Sequence, residues 1–210
     1  PTWTCAPYQS EQRPAAGAQI AWAESNAIVF ANSVLGARTN RYGDFIDICA
    51  AITARAPECG LHLTANRRGQ LLLELIGLPE RLLRDAVLAP VLGYHVGMMS
   101  ASRIPVIRGL PADTSEDFLK ALGAAAASSG AVAMFHAVGR TPEAATLDEA
   151  FQGEPPEEVI EIVLADLLET RDLLSTTADG GVDVVAVGSP HFSLQEFSEL
   201  VPLVEAFPPA

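Results

Sequence analysis

From residue 101 onward, short apolar runs alternate with longer helical stretches, and this alternation constrains the fold more than any other feature of the chain. The runs 104–107, 131–138 and 182–187 read as strands. Between and after them, 113–128 reads as a helix capped by Asp113 or Thr114, 154–175 as a long helix with Pro155 and Pro156 in its first turn, and 193–207 as a serine-capped helix interrupted by Pro202. Strands separated by helices of this length pair in parallel and are covered by the helices. The expected architecture is therefore α/β, with a parallel-sheet αβα layer domain over residues 101–210 and a helix-rich lobe over residues 1–100.

The first lobe reads less regularly. Pro1, Pro7 and Pro14 keep residues 1–20 from forming a long helix. The stretch 22–41 is helical by pattern, with its helix over 20–36 and Gly36 placed as the C-terminal cap. A second helix is expected over 43–55, where Phe45, Ile48, Cys49 and Ile52 recur at helical spacing, so Cys49 reads as a small hydrophobe in the core. Residues 59–64 fit a short buried strand, 66–69 a turn with Arg67 and Arg68 solvated, and 70–76 a strand or a short helix. Residues 79–92 fit a helix, and the glycine- and serine-bearing 93–103 fits a segment crossing between lobes.

Charge excludes several classes of partner. The formal net charge is −13 and Lys120 is the single lysine of 210 residues, so no basic patch exists for nucleic acid or an anionic membrane. No apolar run reaches the roughly 18–20 residues of a membrane span. Three cysteines make a poor disulfide framework, and a reducing cytoplasm is the expected compartment, with no secretory leader visible at Pro1.

The helix of the first lobe carries the most informative side chains. Ser25, Asn26, Asn32 and Ser33 share one stripe, opened by Glu24 and followed past Gly36 by Arg38, Thr39 and Arg41. Two amides and two hydroxyls are too polar for a dry core and too uncharged for an ordinary solvated face. Either they satisfy neighbouring backbone, or they line a polar cavity in which Arg38 or Arg41 grips a carboxylate through two charge-assisted hydrogen bonds. Cys5 sits in a proline-bearing, non-helical segment that exposes its thiol; Cys59 reads either way, and no cysteine spacing marks a metal site by itself. His136 reads as a core residue. Ser189 and His191, in the run GSPH just after the strand 182–187, either form a tight turn into the helix capped by Ser193 or sit at the rim of a pocket at the carboxyl end of a parallel strand. Glu154, Glu157, Glu158 and Glu161 read as the solvated acidic start of a helix. Nucleotide-binding and serine-hydrolase motifs are missing.

Four segments together resemble a known family: TCAPY at 4–8, AESNAIVFANSVLGARTNRYGD at 23–44, GLHL at 60–63 and GSPHFSL at 188–194. They are similar to the large-subunit region of the aconitase X family, distant relatives of aconitase that act as iron- or iron–sulfur-dependent dehydratases. The resemblance implies an aconitase-like fold and an interior piece of a longer protein, with sequence on both sides. It implies that Cys5 helps hold an iron or iron–sulfur centre whose other ligands lie elsewhere, and that a small swivelling subunit or domain completes the enzyme. It places Ser189 and His191 toward the active-site region.

A hydro-lyase of this kind needs a base for the proton beside a carboxylate, assistance for the departing hydroxyl, and an anchor for the carboxylate. Cys5 would hold the metal, Arg38 or Arg41 the carboxylate, and Ser25, Asn26, Asn32, Ser33 and Thr39 the rest of a small hydroxy acid. Glu24, Ser189 and His191 are the catalytic candidates. Family substrates are cis-3-hydroxy-L-proline, which the segment around residue 41 favours, and mevalonate 5-phosphate. The rival reading is a non-catalytic α/β module that binds a small anion or a partner chain, its polar stripe purely structural.

Overall fold

Leu71, Leu72 and Leu73 are buried on both faces of their strand, and such an unbroken apolar run is what a central strand of a covered parallel sheet requires. In the computed structural model, which describes residues 4–177 and 181–206, this strand, β1 (Leu71–Leu75), lies between two neighbours. Its partners are β2 (Pro105–Arg108) and β4 (Glu158–Ile162), and β2 in turn pairs with the short β3 (His136–Ala137). All pairings are parallel and the order is β3-β2-β1-β4, so the α/β reading holds. The sheet takes its central strand from before residue 101. The end of the expected last helix, residue 207, and residues 1–3 of the irregular lead-in lie outside the described residues.

The helices are α1 (Ser25–Ser33), α2 (Asp44–Thr53), α3 (Glu80–Leu83), α4 (Leu88–Ser100), α5 (Glu116–Ser129), α6 (Leu147–Phe151), α7 (Leu164–Leu174) and α8 (Leu194–Ala206). One face of the sheet packs Leu71, Leu73, Ile107 and Ile162 against Leu92 and Val96 of α4, Leu122 of α5 and Leu167 of α7. The other face is covered by Phe151 and Ala150 of α6. A separate cluster joins Ala6 and Tyr8 to Phe30 and Ala31 of α1, with the Tyr8 and Phe30 rings stacked at 3.8 Å.

Several expectations are corrected. The glycine-rich stretch 93–103 is not a crossing segment: most of it continues α4. A Cβ at Gly93 would run into the Leu122 carbonyl and one at Gly97 into Ser129, so these glycines let α4 lie directly on α5. The long helix over 154–175 splits into β4 and α7. Ile160 and Ile162 alternate toward the core, a strand period, and Asp166 then caps α7 by accepting from Val163 N at 2.9 Å. Glu158 and Glu161 thus belong to a strand. Residues 59–64 form 3₁₀ turns rather than a strand. Residues 182–187 form no strand, and Val182, Val184 and Val185 are exposed. Strand 131–138 shrinks to β3, and α5 is capped by the Ser115 hydroxyl, which accepts from Phe118 N at 3.1 Å. Helix α1 spans Ser25–Ser33, shorter than the expected 20–36 at both ends.

Two side-chain expectations also change. Cys49 is exposed, because no described residue covers the apolar face of α2, where Phe45 is 85% and Ile52 79% exposed. Arg67 is fully buried rather than solvated, for reasons given below. Among the described residues no helix is long and apolar enough to cross a membrane.

Candidate active site

The site begins at the first turn of α1. Glu24 is its N-cap and accepts from Ala27 N at 2.6 Å; Ser25 Oγ donates to the same carboxylate at 3.4 Å. One residue on, Asn26 Nδ2 donates to Cys5 O at 3.0 Å and to Tyr8 Oη at 2.8 Å, stapling the amino-terminal segment to the helix. Burial pushes the Tyr8 phenol well above its ordinary range, although its bond with Asn26 pulls the other way. Asn26 is 5% exposed, and its Oδ1 has no hydrogen-bond partner among the described residues. An unsatisfied amide oxygen in a buried position is costly unless a ligand or water completes it.

The thiol of Cys5 meets the other end of the chain. His191 N donates to Cys5 Sγ at 3.1 Å, and the His191 ring shares a 2.9 Å hydrogen bond with Thr4 Oγ1. The result is a cavity of about 400 Å³ lined by Cys5, Glu24, Ser25, Asn26 and Ser189, with Lys120 of α5 in its wall. Cys5 and Glu24 also border a wider groove, about 1170 Å³, against α2. The cavity lies against α5, not at the carboxyl end of a strand, since 182–187 forms none.

The structure divides the remaining residues of the expected site. Asn32 is 1% exposed: Nδ2 donates to Thr39 O and Ala133 O, and Oδ1 accepts from Thr39 N and Arg67. Ser33 Oγ accepts from Phe135 N at 2.9 Å, and Thr39 is fully buried in the Asn32 network. These three tie α1 to the next loop and to the segment leading into β3. Arg38 Nη1 donates to His62 O at 3.0 Å, and Arg41 is exposed; neither lines the two cavities. The polar stripe thus has a cavity end, residues 24–26, and a scaffold end, residues 32–33.

Two residues escaped sequence reasoning. Arg67 donates through Nε to both carboxylate oxygens of Glu143 at 2.9 Å, and through its other nitrogens to Asn32, Leu61 O and Ala37 O. It is the partner that explains why Asn32 is polar. Lys120 is 2% exposed and pairs with Asp117 at 3.0 Å and with Glu196. The available signal was its position: the chain's single lysine falls among Leu119, Leu122 and Gly123, on the packed face of α5.

In this α/β chain the thiol of Cys5 is thus brought under a later loop, beside amide, hydroxyl and carboxylate groups. Models of the aconitase X first domain and second domain match residues 1–65 and 71–172. The chain belongs to the aconitase X family. It is 47% identical to cis-3-hydroxy-L-proline dehydratase of Hypocrea jecorina, over 97% of this chain and 34% of that protein. It is 45% identical to the enzyme of the same name from Pseudomonas aeruginosa, over 97% of this chain and 35% of that one. The phosphomevalonate dehydratase large subunit of Methanothermobacter thermautotrophicus is 42% identical, matching all of this chain and 50% of that one. The crystal structure of Thermococcus kodakaraensis aconitase X in its holo-form superposes with a TM-score of 0.85 at 35% identity, covering 96% of this chain and 50% of that one. The chain therefore spans about a third of the length of the hydroxyproline dehydratases it matches.

Proposed function

We propose that this chain forms part of the catalytic body of a hydro-lyase that dehydrates cis-3-hydroxy-L-proline to a pyrroline carboxylate. The observation that carries the reading is the convergence of Cys5, Glu24, Asn26 and Ser189 on one cavity, in a chain 45–47% identical to enzymes of that name.

The iron or iron–sulfur centre expected for the family fits this site in part. Cys5 offers a sulfur, and the unpaired Asn26 Oδ1 marks a place where the polar wall is incomplete. No group of three or more histidine, cysteine and acidic side chains gathers among the described residues, so the remaining ligands must come from outside them. When bound, such a centre supplies Lewis-acid assistance to the departing hydroxyl. The chain's own residues do the rest. Ser25 and Asn26 hydrogen-bond and orient the ring substituents. Glu24, in the cavity wall, is the candidate base for the proton beside the carboxylate, with the Ser189 hydroxyl of the same cavity as a second proton carrier. His191 acts through its main chain, by fixing Cys5.

The cavity also favours the amino acid over mevalonate 5-phosphate. Among the described residues that line it, Lys120 is the only cation, and it is already paired with two carboxylates. A phosphate needs more uncompensated positive charge than that. A small subunit or domain is part of this reading, as the name of the archaeal large subunit indicates for that protein.

The test is iron content and dehydratase activity of the full-length protein with both substrates. Iron together with turnover of cis-3-hydroxy-L-proline supports the reading. Turnover of mevalonate 5-phosphate alone replaces the substrate, and iron-free, inactive full-length protein favours the non-catalytic binding module.

A further inference from the structure

The segment that closes the cavity leads into a helix, α8, that buries none of its apolar side chains. None of the side chains of α8 is buried, and Leu194, Phe197, Val201 and Leu203 are all more than half exposed. Residues 189–196 are instead held by polar contacts that converge on Lys120. Its ammonium pairs with Asp117 at 3.0 Å and with Glu196, and donates to His191 O at 3.4 Å. The two acids are joined a second time through Ser193: its hydroxyl donates to Asp117 Oδ2 at 2.7 Å, and its N–H donates to Glu196 Oε2 at 2.6 Å. Gln9 reaches the same His191 carbonyl from the amino-terminal segment at 3.4 Å.

We propose that Lys120 is a positioning residue: it clamps the 189–196 segment to α5 and thereby holds the His191 N–H against the sulfur of Cys5. The inference rests on the reading of Cys5 as the metal-holding thiol. The ammonium donates to Glu196 and to the His191 carbonyl and is ion-paired with Asp117. Its charge is already matched by two carboxylates, so the lysine in the cavity wall acts through the segment it holds. Burying an ammonium at 2% exposure is costly; Asp117 on the same helix offsets part of the cost, and Glu196 adds its share only while the segment stays docked. Removing the ammonium leaves Asp117 and Glu196 as like charges joined only through Ser193, and no buried side chain of α8 opposes their separation. The hydrogen bond to sulfur fixes the direction in which Cys5 presents its lone pairs, as outer contacts do for metal ligands generally.

The experiment compares wild type, K120M and K120R in the full-length protein, with three readouts. The first is the rate at which iodoacetamide alkylates Cys5 after chelator treatment, followed by peptide mass spectrometry, with the exposed Cys49 and Cys59 as internal controls. The second is iron content with the visible absorption spectrum, and the third is kcat and KM. In K120M, Cys5 should alkylate about tenfold faster, as local opening of the segment becomes frequent. The controls should stay unchanged, the spectrum should shift, and kcat should fall with KM within about twofold. K120R keeps the charge and should recover much of the wild-type behaviour. Unchanged Cys5 reactivity and spectrum, with a raised KM, would overturn the proposal and make Lys120 a substrate anchor. If K120M does not fold, E196Q, which leaves the pair with Asp117 intact, must show the same faster alkylation of Cys5 or the proposal fails. Wild-type protein without iron or dehydratase activity would sink the functional reading, while the alkylation comparison would still decide the clamp.

Discussion

Arg67, with no solvent exposure, lies with its Nε 2.9 Å from both carboxylate oxygens of Glu143, while its guanidinium also donates to the side chain and main chain of Asn32. One planar cation thus joins α1, the loop after it and the loop that follows β3. Removing one partner of a buried pair leaves the other uncompensated and typically costs about 3–5 kcal/mol. Arg67→Ala should destabilise the protein by that order, read as a lower midpoint of urea unfolding. Arg67→Lys should recover little, because an ammonium cannot span acceptors arranged for a fork. Stability within about 0.5 kcal/mol of wild type, the range of a neutral surface change, would remove Arg67 from the scaffold.

Cys5→Ser tests the metal assignment. Iron bound by the full-length enzyme should drop sharply and dehydratase activity with it, while Cys49→Ser and Cys59→Ser, both at exposed positions, should bind iron as wild type does. Undiminished iron and rate in Cys5→Ser would take Cys5 out of the site.

The two ends of the polar stripe separate in kinetics. Asn26→Ala removes both the staple to Cys5 and the unpaired amide oxygen, and should lower kcat/KM at least about tenfold. Arg41→Ala, at an exposed position outside both cavities, should leave kcat/KM within about twofold. A strongly raised KM in Arg41→Ala or Arg38→Ala would restore the arginines as carboxylate anchors.

Three histidines set an acid limit on stability. Burial lowers the pKa of His62, His95 and His136 in the folded protein, with Arg67 and Arg38 adding to the effect at His62 and opposing hydrogen-bond or acidic influences at the other two. Unfolded, each titrates near the ordinary histidine value of about 6.5. Below that value the unfolded chain binds protons that the folded one refuses, so stability present at neutral pH is lost on acidification. The thermal midpoint should fall between about pH 7.5 and about pH 5.5, and more gently in His136→Asn. A flat or rising midpoint over that range would contradict the buried, neutral state of these rings.

The α/β class was legible because runs such as Pro105–Arg108 carry their burial in their composition, whereas 70–76, which reads as strand or short helix, becomes a strand through its pairing with β2 and β4. What sequence reasoning missed depended on partners distant along the chain. Glu158–Ile162 looked helical because its acidic residues dominate the eye, yet Ile160 and Ile162 keep a strand period that only pairing with β1 makes decisive. The stripe on α1 was legible as polar, but not its division. Asn26 faces a tyrosine 18 positions away and Asn32 an arginine 35 positions away, and identical side chains give no sign of which partner awaits them. Lys120 was visible as a singular residue, but its meaning came from Glu196, which no local pattern connects to it.

The strand order has a consequence for biosynthesis. Because β1 is flanked by β2 on one side and by β4 on the other, its second edge stays bare until residue 162 has left the ribosome. A nascent chain arrested before that point would carry an open, leucine-rich strand edge, a template for wrong pairing, and should depend on chaperone cover until the edge is filled.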